Sequence, residues 1–596
     1  LRASSWLPAM ARLTAAVCLS CASAMVYHNP TAVQARRTGT SYLPDSTLER
    51  AEAGNKIEQG KLKKDPTNAW TDLYDFAAKI RAGTLDYSEI EDFDMNSRLK
   101  WTGILSRFRR TPGRFMMRLR IPNGIVKSDT LRLFADTIEP YGDELGVMDI
   151  TTRQNIQLRG LTLEDGADLT KALHADHNMT SFQSALDNAR NVVGSPLAGL
   201  DDKELVDTRP IANAINDLIS LDKETGERGN PQWGNLPRKF NIAISGGRDD
   251  FAHTYINDIG LDPVPHTDGR IGFNVVVGGY MSIKRVAESV PLGLWVPADP
   301  YSVTALCEAI LRIFRDEGNR KDRQKARLMW LVEDMGVEEY SKAIKAEVES
   351  YGRGVVLEEA QPHETGAFER RELLGVHPQA DEGLRRVGVH VPAGRLSVEE
   401  ARHVADLADR YSEGEVRLTV EQNFILPNVP ADKIDALLEE PALTMGRLAV
   451  DPGNVKGPMV SCTGAQFCPL AIIETKTVAE RVMAKVDALV EAPKPVRVHW
   501  TGCPNSCGQV QAADIGLMGA PAKRKNDEGK MKAVAGANIF LGGTIGEGGH
   551  LALDPHMKNV PIDDEDEIAG VIAGLMKENF GAVDRVAVPK EVAMSR

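Results

Sequence analysis

Hydrophobic positions follow two different patterns along the chain. Residues 46–105 are rich in charge and mostly show helical spacing, as in residues 74–80, which end shortly before Gly83. From Arg114 onward, short runs of alternating hydrophobic and polar residues predict strands, with helical stretches between them. The pattern therefore predicts a mostly helical N-terminal segment at 46–105, followed by a mixed α+β body.

The strand-forming part of the chain repeats itself. Residues 149–158 match 417–426 at an offset of 268, and 272–279 match 536–543 at an offset of 264. Any one match between apolar strands can arise by chance, but two matches in the same order indicate an internal duplication. Two such halves form a cleft between them, where ligands prefer to bind. Each half is predicted to hold a small strand–helix–strand unit and then a larger α/β unit, at 106–175 and 186–350 and again at 380–440 and 441–596.

Composition and charge narrow the class of protein. Of the 596 residues, 42% are hydrophobic and 26% charged, which is typical of a globular protein. The net charge of −13 disfavours nucleic acid or an anionic membrane as a partner, so an anionic substrate would need a local basic pocket. After residue 45, no run reaches the roughly 18 apolar residues of a membrane span. We expect a soluble mature protein.

The first 45 residues are predicted to be a plastid targeting leader. No Asp or Glu precedes Asp45, whereas arginines occur among Ser, Thr and Ala, as in transit peptides. The apolar run at 13–25 ends in small residues and would also suit a secretory signal, so import in two steps is an equal alternative. Because no core element is predicted before Asp45, a chain that begins near Ser46 is expected to fold.

Four of the seven cysteines form one constellation. Their spacing is C-x5-C, then 34 residues, then C-x3-C, from Cys462 and Cys468 to Cys503 and Cys507. Four thiolates suit either tetrahedral zinc or a 4Fe–4S cubane, although x5 exceeds the spacing usual in structural zinc sites. Cys307 stands alone in an apolar helical stretch and is expected to be a buried hydrophobic residue. From spacing alone, a cluster, zinc and an unligated set all remain possible.

Two strings around these cysteines carry a family resemblance. GAQFCPLAIIETK at 464–476 and HWTGCPNSCGQVQAADIG at 499–516 resemble the signature of the siroheme and 4Fe–4S nitrite and sulfite reductases, most closely the plant and algal ferredoxin-dependent nitrite reductases. The resemblance extends from about residue 70 to the end. It implies ferredoxin-like half-domains around a cofactor cleft, a cubane held by the four cysteines, and a siroheme whose iron is bridged by Cys507.

The first half supplies cations for an anionic ring and substrate. Arginine suits this task because its planar donors match carboxylates. The cations in strand or loop contexts are Arg114, Arg118, Arg120, Arg153, Arg159, Arg190, Arg238 and Lys239. For any one of them, solvated surface charge is the simpler interpretation. The resemblance implies that Arg118, Arg190, Lys239 and Asn241 surround the substrate, whereas Arg153, Arg159 and Arg238 are assigned to the siroheme.

The residue at position 241 favours nitrite as the substrate. Sulfite reductases that resemble this motif carry Lys where Asn241 stands, and a second ammonium suits doubly charged sulfite. The resemblance implies a six-electron reduction of nitrite to ammonia, in which Lys239 is a better proton donor than an arginine. A ferredoxin-dependent sulfite reductase, a non-catalytic cluster protein and a zinc-stabilised structural protein are the alternatives.

The electron donor is inferred from an absent motif and from the resemblance. The chain contains no G-x-G-x-x-G, which disfavours a built-in nicotinamide site. The resemblance implies reduced ferredoxin, an acidic partner, and the enzyme is expected to be a monomer. A candidate docking patch is a basic run that could equally be a solvated helix face: Arg315, Arg320, Lys321, Arg323, Lys325 and Arg327.

Overall fold

The N-terminal segment is helical and packs on the rest of the protein. The computed structural model describes residues 37–363, 370–526, 528–546 and 548–586, so the leader before Arg37 lies outside the described residues. The helices of this segment are Asp45–Glu52, Lys56–Lys63, Ala69–Arg81 and Asp92–Asn96. Trp70 and Leu73 are buried in the largest hydrophobic core, which also contains side chains from both small units.

Each small unit is a five-stranded sheet that takes its last strand from the other half of the chain. In spatial order, the first sheet contains Ile104–Ser106, Phe115–Arg118, Ile156–Leu161, Met148–Ile150 and Arg395–Leu396. The second contains Gly375–Pro378, Leu384–Val389, Phe424–Pro430, Glu415–Leu418 and Ile125–Lys127. The two half-domains are therefore joined by exchanged edge strands.

Helices on these sheets repeat the same symmetry. The equivalent helices Ser128–Ile138 and Val398–Tyr411 lie against each other, and each contributes one arginine that binds two carboxylates of the other half. These pairs are Arg132 with Asp406 at 2.6 Å and Asp409 at 2.7 Å, and Arg402 with Asp136 at 2.7 Å and Glu139 at 2.7 Å. The reciprocal contacts confirm the predicted duplication at the level of single side chains.

The larger units are two further sheets with the same strand directions. The six-stranded sheet has the order Glu358–Glu359, Val290–Pro297, Ile271–Val277, Ile259–Pro265, Phe240–Ile244 and Ala189–Val193. The five-stranded sheet has the order Met459–Ser461, Val498–Thr501, Ile515–Lys525, Met531–Leu541 and Met557–Pro561. In each, the first three strands along the chain are parallel and the next is antiparallel. The α+β fold class and its duplicated architecture are thus confirmed.

Helices cover the sheets of the small and the larger units. The longer ones are Leu163–Asp176, Arg209–Ser220, Pro300–Glu317, Leu328–Met335, Val337–Ser350, Lys476–Leu489 and Glu565–Phe580. Cys307 is completely buried in one of them, and burial raises the pKa of its thiol to about 12, which confirms the expected hydrophobic role. In the part of the chain that the structure describes, no helix combines the length and apolar character needed to cross a bilayer.

The residues just before the first helix contact the body, although the sequence predicts no core element before Asp45. The Gly39 amide lies 3.2 Å from Thr67 Oγ1, the Thr40 amide donates to Asp65 Oδ2 at 2.7 Å, and Leu43 is buried. Such hydrogen bonds contribute about 1 kcal/mol each, and a buried leucine contributes roughly 2 kcal/mol.

Removing residues 1–45 is therefore expected to lower the unfolding temperature by a few degrees, whereas removing residues 1–36 leaves these contacts in place. Thermal unfolding of the two truncated chains, followed by circular dichroism, measures the difference. Identical unfolding temperatures would show that these contacts do not stabilise the fold.

Candidate cofactor and substrate site

Parallel strands bring the two cysteine pairs together. Cys462 directly follows the strand Met459–Ser461, and Cys503 follows the neighbouring strand Val498–Thr501. The Cys462 amide donates to the Trp500 carbonyl at 3.0 Å, and the Gly502 amide lies 3.2 Å from Cys462 Sγ. Because both strands end at the same edge of the sheet, residues far apart in sequence meet in one loop cluster.

The four thiols converge without forming a site for a single ion. Cys462, Cys468 and Cys507 line one cavity, and Cys503 follows the strand that pairs with the strand before Cys462. Within the described ranges, however, no three His, Cys, Asp or Glu side chains come close enough to bind one metal ion. Asn505 Nδ2 lies 3.6 Å from Cys503 Sγ, so donors to sulfur are also present. This arrangement does not match a site for a single tetrahedral zinc ion.

A basic cavity lies beside the cysteines. It is lined by cations, by cysteines and by residues from both halves: Arg107, Arg118, Arg153, Arg159, Arg190, Lys476, Asp149, Gln422, Cys462, Cys468 and Cys507. A second cavity is lined by Lys239, Met281, Asn505 and Gln509, among others, and shares Thr152, Arg153 and Cys507 with the first. Cys507 therefore lines both cavities. In the adjacent loop of the first half, Thr152 Oγ1 donates to the Cys507 carbonyl at 3.2 Å.

Several arginines of the first cavity have unpaired hydrogen-bond donors. Arg107 Nε, Arg153 Nε, Arg159 Nη1 and Arg190 Nε are buried and have no hydrogen-bond partner among the described residues. Buried donors in proteins are nearly always satisfied. Several unsatisfied guanidinium nitrogens around one cavity therefore fit a ligand that carries several carboxylates, as a siroheme does.

Arg118 and Arg190 are held beside each other by one backbone carbonyl. Arg118 Nη1 and Arg190 Nη1 both lie within hydrogen-bond distance of the Ser184 carbonyl, at 3.4 Å and 3.2 Å, and Arg190 Nη2 donates to the Leu186 carbonyl at 2.8 Å. Burial and the nearby Arg153 lower the pKa of Arg118 to about 10. Arginine guanidinium groups in proteins are not deprotonated at neutral pH, so the pair can bind an anion.

Lys239 and Asn241 lie at the start of the strand Phe240–Ile244. Burial, followed by the charges of Arg327 and Arg153, holds the pKa of Lys239 well below its usual range. The backbone N–H of Asn241 donates to Asp258 Oδ2 at 2.8 Å, and the side-chain Oδ1 of Asn241 is buried with no partner in the described part of the chain. Asn241 is not among the residues that line either cavity, so the structure places Lys239, but not Asn241, at the cavity wall.

Other predicted cations have structural partners. Arg159 is paired with Asp149 at 2.6 Å, although its Nη1 stays unpaired, and Arg238 lies 3.7 Å from Asp187 rather than in either cavity. Arg114 stacks on the Tyr141 ring, and Arg120 donates to Asn216 Oδ1 at 2.8 Å. The structure therefore brings Arg118, Arg153, Arg159, Arg190 and Lys239 to the cavities and leaves Arg114, Arg120 and Arg238 outside.

Sequence reasoning missed several cavity residues. Arg107 follows the strand Ile104–Ser106 in an arginine-rich turn, where nothing distinguishes it from surface charge. Asp149 is buried between Arg395 at 2.8 Å and Arg159; burial alone would raise its pKa, but these cations hold the pKa far below its usual range. Gln422 could have been found from the repeat, because it matches Gln154, and both have positive φ angles.

The predicted docking patch is wrong for most of its members. Arg315 pairs with Asp316, Arg320 with Glu58, Arg323 with Asp187 and Arg327 with Asp258, and three of the four arginines are less than 5% exposed. Lys321 and Lys325 are exposed. A basic run in the sequence here supplies internal ion pairs instead of a surface, because carboxylates from distant segments reach it.

Comparisons with known proteins agree with this site. The nitrite and sulphite reductase 4Fe-4S domain matches residues 185–350 and 453–577, and the nitrite/sulfite reductase ferredoxin-like half domain matches residues 107–176 and 377–443. These segments cover well over half of the chain and contain the four cysteines.

Individual relatives are similar over almost their whole length. The ferredoxin–nitrite reductase of Synechococcus elongatus is 47% identical, over 89% of this chain and 98% of that protein. The chloroplastic ferredoxin–nitrite reductase of Zea mays is 46% identical, over 90% and 91%. The solved NirA protein of Mycobacterium tuberculosis has a TM-score of 0.75 at 27% identity, over 88% of this chain and 94% of that one. The matched segments, the duplicated fold and the converging thiols together show that the chain belongs to the nitrite and sulphite reductase family.

Proposed function

We propose that the protein is a ferredoxin-dependent nitrite reductase, which reduces nitrite to ammonium at a siroheme coupled to a 4Fe–4S cluster. The observation that carries the proposal is the position of Cys507, which belongs to the thiol cluster and also lines the basic cavities. The names of the relatives from Synechococcus elongatus and Zea mays support the same activity.

The chemistry of the side chains indicates which of the two cofactors each residue would bind. Cys462, Cys468, Cys503 and Cys507 would hold the cluster, and the unpaired nitrogens of Arg107, Arg153 and Arg159 would bind the siroheme carboxylates. When bound, the siroheme supplies an iron that binds the substrate while electrons arrive one at a time.

The chain's own cations bind the substrate and supply protons. Reduction of nitrite to ammonium consumes six electrons and eight protons. Arg118 and Arg190 would donate hydrogen bonds to nitrite oxygens, because their guanidinium groups are fixed beside each other by the Ser184 carbonyl. Lys239 Nζ would donate protons as N–O bonds break, since its lowered pKa makes its proton easier to release.

Ferredoxin is the electron donor in this proposal, and the plastid stroma is the location. Plant relatives are chloroplastic, whereas the cyanobacterial relative has no such designation, so the location rests on the acid-poor composition of residues 1–44. We further propose that one chain suffices for activity, because both cavities are built from residues of a single chain.

A sulfite reductase is the alternative, and position 241 tests it. Asn241→Lys would place a second buried cation two residues after Lys239, in the strand Phe240–Ile244. We expect the ratio of sulfite to nitrite turnover to rise severalfold, because added positive charge favours a doubly charged anion more than a singly charged one. Nitrite turnover should fall, because like charges lower the pKa of Lys239 further, so that a smaller fraction of it carries the proton that it would donate.

The measurement is steady-state turnover of both anions with the same reduced ferredoxin, normalised to siroheme content. Wild type is expected to prefer nitrite. A wild-type preference for sulfite would favour the alternative function, and an unchanged ratio in the variant would show that Asn241 does not set specificity.

A further inference from the structure

A buried lysine on the N-terminal helix Lys56–Lys63 contacts two segments of the substrate site. Lys61 is completely buried, and its ammonium lies 2.5 Å from Glu58 Oε1 and 3.8 Å from Asp187 Oδ2. It also donates to the Leu236 carbonyl at 3.0 Å. A buried ammonium is costly unless it is paired and hydrogen-bonded, and all three contacts meet that need.

The two distant contacts lead directly to substrate-site cations. Asp187 lies three residues before Arg190, in the turn where Arg190 Nη2 is bound by the Leu186 carbonyl at 2.8 Å. Leu236 lies three residues before Lys239, in the segment that enters the strand Phe240–Ile244. The same ammonium therefore links the chain segments that present the proposed anion-binding group and the proposed proton donor.

We propose that Lys61 is a positioning residue for the substrate site: it fixes the turn that carries Arg190 relative to the segment that carries Lys239. The inference rests on the proposed function for its effect on nitrite, but the mechanical link rests on the contacts alone. Lys61 touches neither substrate nor cofactor in this proposal. It acts through Asp187 and the Leu236 carbonyl.

The charges around Lys61 indicate that it does more than neutralise the carboxylates of Glu58 and Asp187. Four cations, Lys61, Arg238, Arg320 and Arg323, surround two carboxylates, Glu58 and Asp187. Without Lys61, Glu58 keeps Arg320, and Asp187 keeps its bidentate pair with Arg323 at 2.7 Å. The cluster already has more cations than carboxylates, so replacing Lys61 with an apolar side chain of similar length should leave a folded protein.

The test compares three variants of the holoenzyme. Lys61→Met removes the link. Lys63→Met is the matched control, because Lys63 is exposed on the same helix. Glu58→Gln weakens the anchoring of the helix to Arg320 but leaves the Lys61 contacts with Asp187 and Leu236. For each, KM and kcat for nitrite are measured with siroheme content normalised, together with the unfolding temperature and amide hydrogen exchange.

We expect Lys61→Met to raise the KM for nitrite five- to tenfold and to change kcat less, since small displacements of binding groups weaken a site strongly. Hydrogen exchange should accelerate in residues 184–191 and 234–241 together. Lys63→Met should match wild type, and Glu58→Gln should lower the unfolding temperature without the rise in KM. An unchanged KM with unchanged exchange in the two segments of Lys61→Met would overturn the proposal.

The proposal can also be tested in the wild-type protein. If Lys61 links the two segments, nitrite binding should slow hydrogen exchange in the helix Lys56–Lys63 as well as in residues 184–191 and 234–241. Slower exchange in residues 184–191 and 234–241 without any change of exchange in the helix would contradict the proposal. If the wild-type enzyme does not turn over nitrite, the proposed function fails, but exchange in Lys61→Met still decides whether the two segments are linked.

Discussion

Lys239→Met is expected to lower kcat for nitrite about 100-fold or more while both cofactors remain bound. Lys239 lines the cavity beside Cys507, and burial together with Arg327 and Arg153 makes its ammonium a readier proton donor than an exposed lysine. A positioned proton donor contributes roughly 10²–10⁴-fold to such a reaction. Methionine is one atom shorter than lysine and lacks the ammonium group, so the effect should fall on chemistry more than on folding.

The measurement is single-turnover and steady-state nitrite reduction, with siroheme and iron content determined for each preparation. Lys284→Met is a suitable control, because Lys284 is exposed on the protein surface. A kcat within threefold of wild type at full cofactor content would show that Lys239 does not deliver the protons.

Cys507→Ser is expected to abolish activity and to remove most of the siroheme absorbance together with the cluster iron. Cys507 lines both cavities and lies among the other cluster thiols, so its sulfur atom borders the proposed sites of both cofactors. A serine hydroxyl is a far poorer ligand for iron than a thiolate, because its proton is much harder to remove at neutral pH.

Cys307→Ala separates this effect from a general loss of stability. Cys307 is buried in the core of the first larger unit, so its truncation should destabilise the fold modestly and leave the visible spectrum unchanged. Iron analysis and the visible spectrum of both variants provide the comparison. A normal siroheme band and iron content in Cys507→Ser would contradict the assignment of Cys507 to both centres.

The parts of the site that sequence could predict are those with local signals. The four cysteines stand in two short strings, and the parallel strands before Cys462 and Cys503 bring those strings together as a shared sheet edge requires. The duplication was also visible, because matching segments occur in the same order. Arg118 and Arg190 followed from the family resemblance, and the structure places both at one cavity.

The rest depended on partners that are distant in sequence. Arg320 belongs to a basic run, yet its partner Glu58 lies 262 positions away, and no nearby sequence feature predicts that pairing. Asn241 lies only two residues after Lys239, but its place outside the cavity wall depends on Asp258 and on packing. Edge strands of two or three residues carry no detectable periodicity, so the exchange between the half-domains could not be foreseen.

That exchange has a consequence for how the protein is made. While the chain emerges from the ribosome, the strand Met148–Ile150 remains an open edge until Arg395–Leu396 has been synthesised. Open edges pair readily with the wrong chain, so the nascent first half is exposed to aggregation for most of its synthesis. Gene truncations that end between the two half-domains should therefore yield insoluble products, and the two halves should be recovered as soluble protein only when they are produced together.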